Sequence, residues 1–314
     1  MSSILESIDL KDAGAVEDAL LRGTSAALGA DCRRGSIDLI ETRPEESGRG
    51  AATLIATGDL HDNPLHLARL VRAAGMDGPP RSAPDPSHLL LHELIHSDRL
   101  VNGMDFSYRV LVRIAALKAA YPQRVHAILG NHEIAQATGG VVVKHGVKCV
   151  EAFDEALDAA FGDDAGRVRS AVRGFVMAMP LAVRCRCEGL TGDVLCAHSL
   201  PAPELMDRFD PGVLDRALTE EDFQPRRGAA HLMSWGRSHT EAQLNDLAAR
   251  WGVRLFVLGH EEAAGGSLVV APNAVVLNSD HEHGVLVRMD LTRPWTAAEV
   301  AARAEKLNGQ PEYR

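Results

Sequence analysis

Five short runs end in side chains that bind cations or move protons: Gly58-Asp59-Leu60-His61, His92-Glu93, Gly130-Asn131-His132-Glu133, His198 and Gly259-His260. Each follows an apolar run of strand length. Asp59 and His61 lie two apart, so an extended backbone presents both on one side. One carboxylate oxygen with one imidazole nitrogen suits a borderline divalent or trivalent ion (Mn, Fe or Zn) rather than Ca. The remaining donors suffice for a second ion that shares a carboxylate. Two ions roughly 3.5–4 Å apart clamp a phosphate and generate hydroxide near neutral pH. A single histidine at a strand end is usually just a hydrogen-bonded structural group. Five such termini on one side of a sheet argue for a site.

The elements that must position these residues read as α/β. Strands are expected over Ala51 to Thr57, His88 to Leu94, Arg124 to Leu129, Leu181 to Cys187, Val194 to Ala197, Arg254 to Leu258, Ser267 to Leu277 with a break at Pro272-Asn273, and Gly284 to Met289. Helical spacing covers Gly14 to Leu28, Ser107 to Ala120, Glu151 to Phe175, Thr240 to Trp251 and Ala297 to Leu307. Asn63 followed by Pro64 is a cap and first-turn signal for a further helix. A proline- and glycine-rich connection spans Gly75 to Pro86. The chain divides into an N-terminal helical extension (1–50), a catalytic-type α/β domain (51–295) and a C-terminal helix and tail (296–314).

Composition narrows the classes. The 314 residues carry a formal charge of −10, which argues against a nucleic-acid coat or an anionic-membrane binder. No apolar run reaches the length of a membrane span, and the acidic N-terminus does not read as a secretory signal. Five cysteines, an odd number in so long a chain, suggest thiols and a cytoplasmic setting. Fourteen histidines are the compositional feature that needs explaining.

In order, G-D-x-H, a carboxylate after the second strand with Asp98-Arg99 following, G-N-H-E, a lone histidine after a strand and a late G-H resemble the calcineurin-like metallophosphoesterase superfamily. The nearest branch is that of the serine/threonine phosphoprotein phosphatases and their bacterial relatives. The resemblance spans about Ala51 to Leu291. It implies two stacked mixed β-sheets flanked by helices, with the site at strand C-termini. It also implies two metal ions (Mn, Fe or Zn), one held by Asp59, His61 and a bridging carboxylate. The other would take that bridge with Asn131, His198 and His260. His132 resembles the histidine that protonates the leaving alkoxide, with Asp98 orienting it. Arg99 resembles the arginine that binds phosphate oxygens. Leu232 to Arg237 resembles a segment of bacterial members, with Arg237 a second phosphate contact. The implied reaction is hydrolysis of a phosphomonoester, whether of a phosphoprotein, a nucleotide or a small molecule. Hydroxide held by the metals attacks phosphorus directly, without a phosphoenzyme.

Three departures stand out. The family writes G-D-x-x-D-R where this chain reads His92-Glu93-Leu94-Ile95-His96-Ser97-Asp98-Arg99. Aligning the strand puts Glu93 at the bridge, with His96 as the alternative. Asp62 stands where G-D-x-H-G ends in glycine, and Ser199-Leu200 replace the glycines of H-G-G. His92-Glu93-Leu94-Ile95-His96 is also H-E-x-x-H, the zinc-peptidase signature, which needs a helix; the strand-length run before it favours a strand end. A third reading is a phosphoesterase fold that binds without turnover.

Overall fold

Strands buried on both faces read as unbroken apolar runs, and their side chains here sort by alternation into two layers. The computed structural model describes residues 4–78 and 85–309, so the connection expected over 75–86 lies partly outside the described residues. A smaller sheet runs, in spatial order, Glu305–Lys306, Val285–Asp290, Thr53–Ala56, His88–Leu91, Val125–Ala127. A larger one runs Arg33–Arg34, Ile37–Thr42, Ala182–Cys187, Asp193–Ala197, Val253–Leu258, Ala274–Leu277, Ser267–Ala271. Leu54, Ala56 and Leu90 of the first sheet interleave with Val183, Cys185, Cys196, Val257 and Val275 of the second. Their sequence neighbours Ile55, Leu89, Leu91, Leu195 and Phe256 face outward into the core beneath the helices. The result is the expected pair of stacked mixed sheets flanked by helices.

Pairing directions bring the functional strand ends together. Thr53–Ala56, His88–Leu91 and Val125–Ala127 are mutually parallel, as are Asp193–Ala197 and Val253–Leu258. Single bridges join Asp59 to His92 within the smaller sheet and to Asn278, which follows a strand of the larger one. Gly58 permits this approach, since a Cβ there would lie 1.9 Å from the Leu277 carbonyl oxygen. Asn63 caps the helix Pro64–Ala73 by accepting from the His66 N–H, as expected.

Several expectations need correction. The first fifty residues are not only helical. After the helix Ala13–Leu28, Ile37–Thr42 pairs in parallel with Ala182–Cys187 and extends the larger sheet. Asp38, its second residue, breaks the apolar pattern, and two of its three partners come from distant sequence. It accepts from His126 Nδ1 at 2.8 Å and Arg33 Nε at 2.8 Å, with the Lys118 ammonium 3.6 Å away. The stretch Glu151 to Phe175 is two helices, Cys149–Phe161 and Ala165–Ala178, divided at Gly162 with φ of 53°. The last helix stops at Ala302, because Glu305–Lys306 turns back to pair with Val285–Asp290. The helix Ala229–Trp235 was not expected.

Candidate metal centre

The loops at this sheet end are held in backbone conformations that side chains rarely adopt. His61, Asp62, Glu93, His96 and His260 have φ of 43°, 56°, 50°, 61° and 66°. Each such residue costs on the order of 1–3 kcal/mol, and such strain gathers at functional sites. Asp62 adopts the left-handed conformation at the position where the family pattern has glycine. The Glu133 carboxylate secures the second loop, accepting from the Leu94 N–H at 2.8 Å, the Ile95 N–H at 3.2 Å and the Gly130 N–H at 3.1 Å. The His61 N–H donates to the Glu93 carbonyl at 2.7 Å and ties the first loop to the second.

Glu93 lies at the centre. Its left-handed φ directs the carboxylate between two donor groups. On one side, Glu93 Oε2 is 3.3 Å from His198 Nε2, which is also 2.9 Å from Asn131 Oδ1 and 3.1 Å from His260 Nδ1. On the other, Glu93 Oε1 is 3.4 Å from His132 Nε2 and 4.0 Å from His61 Nε2. Asp59 lies on the His198 side, with Oδ1 3.4 Å from His198 Nδ1 and 3.5 Å from His92 Nδ1. Both Asp59 oxygens accept from the His260 N–H at 3.0 Å. Gly259 makes room, since a Cβ there would meet Asp59 Oδ1 at 2.3 Å.

Burial dominates the electrostatics. It pushes Glu93 well above the ordinary carboxylate range, with Glu133 and Asp59 adding to the rise. Burial also works to raise Asp59, but His198, His92 and His61 outweigh it and hold that carboxyl far below its usual value. Burial, His96 and His61 hold His132 well below the ordinary imidazole value.

The donor set fits metal ions. Glu93 Oε2 and His260 Nε2 are buried without a hydrogen-bond partner. Asp59, His92 and His198 bring ligand atoms within 4.8 Å of one another, as do His61, Glu93 and His132. Carboxylate oxygens and imidazole nitrogens converging in one buried cluster suit cations, and mixed O/N ligation suits Mn, Fe or Zn.

All six expected ligands, Asp59, His61, Glu93, Asn131, His198 and His260, thus meet at one place. Arg99 also reaches it, donating from Nη1 to the His61 carbonyl at 2.8 Å and from Nη2 to Asp280. Arg237 Nη1 donates to the His260 carbonyl at 2.8 Å. Asp98 does not take the position expected of it. It points outward, half-exposed, and pairs with Lys144 Nζ at 3.1 Å. The group against His132 Nδ1 is His96 Nδ1, 2.8 Å away. Two extra residues between the strand and Asp98 carry the aspartate past the site and leave His96 in its place. His96 is therefore not a bridging ligand. Asp98→Asn should leave turnover within about five-fold of wild type, the worth of an exposed ion pair. Steady-state kinetics on the metal-loaded enzyme check this, and a hundred-fold loss would restore Asp98 to the mechanism.

The peptidase reading fails on geometry, because His92 to His96 forms no helix and two of its residues are left-handed. Sequence reasoning gave no role to Gln136 or Asp280, and saw His92 only beside Glu93 and in the H-E-x-x-H pattern. Glu133 had one usable signal, its place three residues after Gly130, where it caps the helix Asn131–Thr138.

Comparison with known proteins agrees with this geometry. The sequence profile described as calcineurin-like phosphoesterase matches residues 52–262. No curated protein matches the chain closely enough to count as a relative. Among solved structures, a Saccharomyces cerevisiae serine/threonine phosphatase described as similar to human phosphatase PP5 superposes with a TM-score of 0.60 at 16% identity, covering 89% of this chain and 83% of its own. A cold-active protein-tyrosine phosphatase of a psychrophilic Shewanella species gives a TM-score of 0.55 at 14% identity, covering 85% and 82%. At those identities the likeness is one of fold. The profile spans most of the chain and brackets all six ligand positions: this protein belongs to the calcineurin-like phosphoesterase family of metal-dependent phosphatases.

Proposed function

We propose that the protein hydrolyses phosphomonoesters at a two-metal centre bridged by Glu93. The observation that carries this is the position of that carboxylate, within 3.3 Å of His198 Nε2 on one side and 3.4 Å of His132 Nε2 on the other. Asp59, His61 and Glu93 would hold one ion, and Glu93, Asn131, His198 and His260 the other. Bound there, the ions would supply positive charge to the phosphate oxygens and an activated water as nucleophile. Arg99 and Arg237, each bonded to the carbonyl of an expected ligand (His61 and His260), would add guanidinium donors suited to phosphate. His132 hands a proton from Nε2 to the leaving oxygen. Its low proton affinity makes it a willing donor once the substrate's charge has drawn a proton onto it.

The five cysteines are free thiols, which supports a reducing compartment such as the cytoplasm. Among the described residues no helix is long and apolar enough to cross a membrane. The testing experiment is phosphate release from phosphopeptides, nucleotides and small phosphomonoesters by chain stripped of metal and reloaded with Mn2+. Mn-dependent release from at least one class is expected. Stoichiometric metal with no release from any would favour a binding protein on this fold.

A further inference from the structure

His92 and His96 stand where the family pattern has a glycine and an aspartate, and the H-E-x-x-H segment they frame does not form a peptidase site. Their hydrogen bonds nevertheless have one logic. His92 Nε2 lies 2.8 Å from the Thr57 carbonyl, which only accepts, so that nitrogen carries the proton and Nδ1 is a lone pair. The Nδ1 of His92 is 3.2 Å from His198 Nδ1. Only a proton on His198 Nδ1 satisfies that contact, and Asp59 Oδ1, 3.4 Å from the same nitrogen, makes the same demand.

The second pair repeats the pattern. His96 Nε2 is 2.9 Å from Gln136 Oε1. That amide is oriented by its own Nε2, which donates to Asp154 Oδ1 at 3.0 Å. His96 Nδ1 is therefore the acceptor, and His132 Nδ1 at 2.8 Å must donate to it. Between them, the Ile95 carbonyl accepts from His61 Nδ1 at 3.3 Å. Three functional histidines thus have Nδ1–H engaged by one five-residue segment. Their three Nε2 atoms face the carboxylate at its centre, 3.3, 3.4 and 4.0 Å from Glu93 oxygens, and His198 Nε2 also lies 2.9 Å from Asn131 Oδ1, so with Nδ1 protonated its lone pair meets acceptor oxygens that a bound cation would satisfy.

We propose that His92-Glu93-Leu94-Ile95-His96 is a tautomer template, in which His92, the Ile95 carbonyl and His96 hold His198, His61 and His132 with Nε2 unprotonated and aimed at Glu93. His92 and His96 are positioning residues. His96 does for His132 what an acidic partner does in other histidine dyads, with a neutral ring and an amide–carboxylate relay behind it. Fixing the second nitrogen of a ligand or catalytic imidazole typically sets metal affinity or activity by about 10–100-fold. The inference rests on the proposed phosphatase reading for its consequence, but not for its geometry.

The test therefore has two arms. Long-range proton–nitrogen correlation spectra of the histidine side chains in the full chain, metal-free and zinc-loaded, report each tautomer without reference to activity. Single-histidine substitutions assign the signals. In the zinc-loaded chain the expected pattern is Nδ1–H for His61, His132 and His198, and Nε2–H for His92 and His96, with zinc shifting His198 Nε2 from its metal-free position. Nε2–H on any of the first three, or zinc shifting His92 Nδ1 instead, would overturn the proposal. The second arm is kinetic. His96→Leu should lose about 10–100-fold on an alkyl phosphate, less on an activated aryl phosphate, with metal content unchanged. His96→Asp, which restores an acceptor, should recover most of the loss. Equal impairment of both variants on both esters would reduce His96 to packing and overturn its role. If wild type releases no phosphate while the spectra match, the functional reading fails and the template stands.

Discussion

Glu93→Gln is expected to abolish metal-dependent phosphate release, by at least about 10³-fold, the scale on which one preorganised electrostatic element contributes. The substitution keeps shape and volume and removes only the charge that both donor groups share. Metal content should fall with activity, because neither the Asp59–His61 side nor the Asn131–His198–His260 side keeps its full set of anionic ligands. The metal-free fold should not suffer. Burial beside Glu133 and Asp59 favours the protonated form of Glu93 until a cation arrives, so replacing that carboxyl by an amide changes little in the metal-free fold. In thermal melts wild type should gain about 2.7 kcal/mol at a Mn2+ concentration one hundred times Kd. Glu93→Gln should show an equal or higher metal-free midpoint and a much smaller metal-induced gain. Full metal occupancy in the variant would remove Glu93 from the bridge.

His132→Ala should separate chemistry from binding. It is expected to lower kcat by about 10²–10⁴-fold, the range for loss of a positioned proton donor, with two metals per chain retained. The loss should be steeper for an alkyl ester, whose leaving oxygen needs a proton, than for an aryl ester with a stabilised leaving group. Kinetics on the two esters with parallel metal analysis check this. Equal losses on both, or loss of metal, would make His132 a ligand or a packing residue.

Much of this was legible because burial on both faces makes a strand read as an apolar run, and because Asp59, Asn131, His198 and His260 each stand at the end of one. The bridge was legible only through alignment of the strand before it. What escaped reading was decided in three dimensions. Ile37–Thr42 was hidden by Asp38, whose compensation by His126 and Lys118, beside the nearby Arg33, depends on chain folding back from eighty or more residues away. Asp98 was misplaced because left-handed turns at Glu93 and His96 redirect the loop, and positive φ in such residues leaves no mark in their type. The roles of His92 and His96 depend on which nitrogen each offers, and that is set by the Thr57 carbonyl and the Gln136 amide. Four of the fourteen histidines would be assigned to metal or proton transfer from sequence; the two positioning ones become visible only as pairs.

Anomalous diffraction at the manganese edge, from crystals of the wild-type chain grown with Mn2+, tests the central claim most directly. The account expects two peaks roughly 3.5–4 Å apart, with a Glu93 oxygen between them. Asp59 and His61 should lie on one peak, and Asn131, His198 and His260 on the other. A single peak, or two peaks without Glu93 between them, would contradict it.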